Sequence, residues 1–147
     1  MTHVRKQIRD ALVETLTGLN TVKSRVFASR VHPMNDNELP CLLVYTRNES
    51  AAPITMTRPR RMERSLSVMV DACVKMAAGY DDKLDKIAVE VEKAIYNSTS
   101  LRAIAKDIVL TESEIKITGE AEKPVAVISM TFEAVYFVAE NDPETLT

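Results

Sequence analysis

Apolar positions along this chain follow two rhythms, one of about four residues and one of two. Val4, Ile8, Leu12 and Leu16 recur every four residues, which stacks them on one face of a helix predicted from Thr2 to Leu19. Arg5, Lys6, Arg9 and Glu14 occupy its other faces. Thr2 or His3 opens it without a strong cap, and Gly18 or Asn20 is placed to end it. Val22–His32 reads as an imperfectly alternating strand, and PMNDNELP after it as a polar turn between Pro33 and Pro40. CLLVYTR, Cys41–Arg47, is almost continuously apolar, as a strand covered on both faces is.

Every period then breaks. The segment 48–64 holds Pro53, Pro59 and a cluster of arginines, and reads as a long loop of the length that is usually functional. Ser65–Met76 is the clearest strand: Leu66, Val68, Val70, Ala72 and Val74 share one face, opposite Ser67, Met69, Asp71, Cys73 and Lys75. Leu84, Ile87, Ala88, Val91 and Ile95 restore a helical stripe, with Asp81 and Asp82 in its first turn suited to the dipole and to capping. A short helix over Ser100–Asp107 and strands at Ile108–Thr118 and Val125–Val138 follow, with the turn GEAEKP between the strands. The last strand exceeds the usual length, which predicts a bulge or an end reaching beyond the sheet to a neighbour. The acidic residues 139–147 read as a frayed tail.

This order predicts one α+β domain over 1–147: a mostly antiparallel sheet with two main helices packed on one face. Its other face keeps apolar residues. A chain of 147 residues with 46% apolar content can bury a core without metals or disulfides, and 5% aromatic content makes that core aliphatic. Cys41 and Cys73 lie within strand-like runs and read as buried thiols. No run nears the ~20 apolar residues that span a bilayer, so no membrane partner is expected.

Chemistry is harder to find. Nineteen basic residues against 21 acidic ones, a net charge of -2, argue against a general grip on duplex nucleic acid. Three glycines are too few for a phosphate-binding loop, and His3 and His32 lack paired-ligand spacing, so no catalytic residue, metal or cofactor is expected. The arginines of the loop are the one local charge anomaly. Arg58, Arg60, Arg61 and Arg64, with the apolar Met56, Met69, Val135 and Phe137, are the candidates for an interface. No aromatic residues interleave with those arginines in sequence, which favours a protein partner over nucleic acid.

The segments together resemble the tail terminator (tail completion, minor tail) proteins of long-tailed bacteriophages and prophages. The resemblance rests on IRDALVETL, the proline-led LPCLLVYT, the long loop, LSVMVDACV, YDDKLDKIAVEVEKAI and IKITGEAEKPVAVISMTFEAVYF, and covers roughly residues 5–138. It implies a non-catalytic domain without cofactor that forms a hexameric ring with itself on the tail tube protein and stops tube growth. The ring meets a head–neck connector protein and lets DNA pass without sequence-specific binding. Its implied place is the virion tail, reached by assembly in the host cytoplasm. A neck adaptor of similar fold, or a nucleic-acid module using the arginines, are the other readings.

Overall fold

The computed structural model describes residues 2–29, 39–75, 78–118 and 125–147. The first helix, α1, spans Val4–Leu16 and buries Val4, Ile8, Ala11, Leu12 and Leu16. His3 supplies the cap that the sequence did not advertise: its Nδ1 accepts from the Arg5 amide at 3.1 Å. The helix stops short of Leu19 because Thr17 is extended and Gly18 takes φ +97°, a left-handed conformation open to glycine. A tight turn follows, with Gly18 N–H to Lys23 O and Lys23 N–H to Leu19 O, each 2.7 Å. This turn consumes the first part of the strand predicted from Val22, leaving β1 only Val26–Ala28. The remainder of that prediction, with the PMNDNELP turn up to Glu38 and His32, lies outside the described residues.

The other elements are β2 (Cys41–Pro53), β3 (Arg61–Lys75), α2 (Tyr80–Asn97), α3 (Thr99–Ile104), β4 (Asp107–Thr118), β5 (Val125–Ala139) and β6 (Asp142–Leu146). They build a mixed sheet ordered β1-β2-β3-β5-β4, with β6 also on β5. Only the β1–β2 pair is parallel. The α+β class and the helical stripes are as the periodicity predicts: Leu84, Ile87, Ala88, Val91 and Ile95 are the buried residues of α2. They join the even-numbered residues Leu66–Val74 of β3 and Ala126–Val138 of β5 in one core. Each large aliphatic side chain fully withdrawn from water there contributes roughly 1.5–3 kcal/mol.

Four expectations need correction. The segment 48–64 is not a loop over its length: β2 runs on to Pro53 and β3 begins at Arg61, paired Pro53↔Met62 through Glu49↔Leu66. Backbone pairing holds this hairpin, so its side chains show no burial period. The tail is not frayed either, because β6 pairs with β5 at Val138↔Leu146 and Leu146 packs on the core. β5 has no bulge against β3, which matches it residue for residue from Arg61↔Ala139 to Lys75↔Val125. Finally, α2 is entered from Gly79 at φ 75° without a side-chain cap, so Asp81 and Asp82 line its first turn but cap nothing. The predicted GEAEKP turn lies outside the described residues.

Candidate assembly surface

The outer half of the β2–β3 hairpin forms an arm, and a polar knot fixes its base. A bulge between Thr46 and Glu49 adds one residue to β2 relative to β3. The extra residue turns Glu49 onto the helix-bearing face, opposite Leu66. There the Tyr136 hydroxyl donates to Glu49 Oε2. Arg64 Nη1 and Arg5 Nη1 donate to Glu49 Oε1 at 3.3 and 3.4 Å. Arg64 Nη1 also lies 3.2 Å from His3 Nε2. The Glu49 and Arg64 side chains are only 9% and 17% exposed, so the charges are largely withdrawn from water and compensate one another. Burial, then the hydrogen bond and charge of Glu49, push the Tyr136 phenol up. Burial and the Arg5 and Arg64 charges hold His3 below its ordinary 6.5.

The four candidate arginines have separate fates. Arg64 belongs to this knot. Arg60 pairs with Glu140 at 3.4 Å, and the donated Arg60 amide is the main cause lowering the Glu140 carboxyl. Arg61 donates to Thr147 at 2.9 and 3.1 Å and lies over the Phe137 ring, 4.3 Å from its centroid. Lys106 approaches the same ring at 4.9 Å, so an aromatic does sit between two cations, through folding rather than sequence order. Arg58 alone of the four is exposed, at the arm's tip. Beside it Met56 is 88% and Ile54 45% exposed.

The remaining candidates lie on the face away from the helices. Met69 and Phe137 are buried, and Val135 is half-buried, so folding has already covered much of what they offer. Around them Ser65 and Ser67 donate to Glu133 at 2.8 and 2.6 Å, and Tyr45 to Asp71 at 2.9 Å. Burial and the Asp71 charge raise Tyr45 to about 12. Cys41 and Cys73, register partners, are buried, and their hydrogen bond and burial push the Cys73 thiol up. The Cys41 and Cys73 thiols are withdrawn from solvent and not activated as nucleophiles. Among the described residues, no group of three His, Cys, Asp or Glu side chains is placed to hold a metal. Nor is any helix among the described residues long and apolar enough to cross a membrane.

Both sides of β5 are occupied, by β3 on one and by β4 and β6 on the other. The long strand therefore has no free edge, contrary to the expectation that it reaches out to a neighbour. Among the described residues, unpaired edges are left by β1, the outer part of β2 and β4. Sequence reasoning missed the β4 edge, where Ile115 and Ile117 are 47% and 50% exposed. The signal was present in EIKI, an alternation that marks a half-covered strand. The Glu49 knot carried no such signal, because its members are scattered from His3 to Tyr136.

An exposed arm tip and the strand edges left open among the described residues suit assembly with other proteins. Residues 3–136 match the family described as phage minor tail protein U. The chain belongs to that family, and is a structural protein of the phage tail, a virion component. No curated protein matches it. Among solved structures, a chain from the virion of a native gene transfer agent particle is similar over 92% of each chain, at 16% identity and a TM-score of 0.45.

Proposed function

We propose that this protein is a tail terminator: it closes into a ring, six copies by the resemblance above, on the last ring of the tail tube. The ring stops tube growth and then presents a surface to the head–neck connector, leaving a channel through which DNA passes without sequence-specific contact. Assembly takes place in the host cytoplasm. The observation that carries this reading is the pairing of family membership with two unlike exposed surfaces, the arm tip and the β4 edge. A closed ring requires two unlike, complementary surfaces on each copy. The work is geometric and needs no catalysis.

Tail length measured by electron microscopy tests it. Particles assembled without the protein should carry tubes of uncontrolled, excessive length. Tubes of normal length that merely fail to join heads would assign the protein to the neck as an adaptor instead. Salt-dependent binding to DNA with a slope of several phosphate contacts would favour the nucleic-acid reading.

A further inference from the structure

Resting on the ring reading, we infer that the arm tip of one copy seats on the outer half of β4 of the next copy. The tip is Ile54–Arg61, ITMTRPRR, which holds no carboxylate; Arg60 is paired with Glu140 and Arg61 is held by Thr147 and Phe137, so Arg58 is its outward charge. Its exposed apolar side chains are Ile54 and Met56. The receiving outer half of β4, ESEIKIT over Glu112–Thr118, carries Glu112 and Glu114 against Lys116 alone. Its exposed apolar side chains are Ile115 and Ile117. The two surfaces are thus alike in apolar character and opposite in charge, the combination that docks specifically.

They cannot meet within one chain. The tip lies beyond Arg61, and the rim lies near Thr118, which pairs with Val125 and through it aligns with Lys75. Fourteen residues of β3 separate Arg61 from Lys75, about 45 Å at strand rise. Contact between unlike surfaces at opposite ends of a molecule is head-to-tail, the geometry of a ring. β4 also needs cover: among the described residues it pairs only with β5, and a twelve-residue strand with one edge unpaired there and exposed isoleucines is a ready pairing site. Its charged residues and the bulge between Leu110 and Glu112 restrain casual pairing, leaving a chosen partner.

Cross-linking decides it. Met56→Cys and Ile115→Cys are made in separate chains, then mixed with a short bismaleimide linker. The native Cys41 and Cys73 are buried, so the introduced thiols are the reactive ones. Covalent dimers should form in the mixture and not from either variant alone. A chain carrying both changes should give a ladder that ends at the ring. Dimers from either variant alone, or rings without mixed dimers, would overturn the contact while leaving the ring standing. Unsubstituted protein that stays monomeric by native mass spectrometry, even with tail tubes, would overturn the ring and the contact together. As a second measurement, Arg58→Glu should weaken assembly about tenfold and Glu114→Arg in the same chain should restore it. Absence of restoration would count against the charge pairing.

Discussion

From Cys41 to Val44 and from Leu66 to Val74 every residue of β2 and β3 is buried, whereas from Ala51 to Pro59 every residue is exposed. One hairpin therefore contains two regimes. Beneath the helices, side chains decide the structure, because Leu42, Val44, Leu66, Val68, Val70, Ala72 and Val74 share one core with the buried residues of α1 and α2. From Ala51 to Pro59 no such burial exists, and order in the arm depends on backbone pairing, the Glu49 knot and the contacts of Arg60, Arg61 and Met62 at its β3 side. The inner half can change little without unfolding. The outer half is free to carry residues chosen for a partner.

The deepest cut into the inner regime is Leu12→Ala. Leu12 is fully buried, and the cavity should cost about 3–4 kcal/mol, read as a lower denaturant midpoint with arm and core unfolding together. Glu49→Ala attacks the boundary. It strands Arg64 beside Tyr136 with no acid, and should cost about 3 kcal/mol. A double-mutant cycle with Arg64→Ala should show strong coupling; additive effects would mean that the knot is not a unit.

A weaker effect is pH-dependent. Folding holds the His3 pKa below 6.5, so the unfolded chain binds the proton more readily. The stability contributed by neutral His3 is full above its unfolded pKa of about 6.5 and declines as pH falls through that value toward the folded pKa. The protection of the Arg5 amide against exchange, after allowance for the intrinsic pH dependence, should fall accordingly, and His3→Asn, which keeps a capping oxygen, should remove that fall. The smallest effect on stability belongs to the tip. Ile54→Ser with Met56→Ser should leave the denaturant midpoint within about 0.5 kcal/mol of the parent, yet reduce ring formation measured by native mass spectrometry. A loss of stability comparable to that of Glu49→Ala would erase the distinction between the two regimes.

The inner regime was readable in advance because burial writes a period into the sequence. Val4, Ile8, Leu12 and Leu16 declared α1, and the even positions of β3 and β5 declared the sheet. The arm was not readable, since Pro53 and Pro59 are turn signals and the strand ends on either side of them carry no alternation. The bulge at Thr46/Glu49 shifts phase midway through β2, which further disguises it. β6 was hidden for a related reason: its acidic residues stay exposed while Leu146 reaches the core. The candidate arginines were found by composition, but which of them remains available depended on Glu49, Glu140 and Thr147, all distant in sequence from one or more of their partners.

The same bulge dictates where this chain tolerates a change of length. Removing a single residue between Thr46 and Glu49 would rotate Glu49 and the rest of β2 to the opposite face, taking the acid away from Arg64 and Tyr136. Residues added between Ile54 and Arg60 would merely lengthen the exposed tip. Natural variants should therefore differ in size at the end of the arm and keep a constant count at its root.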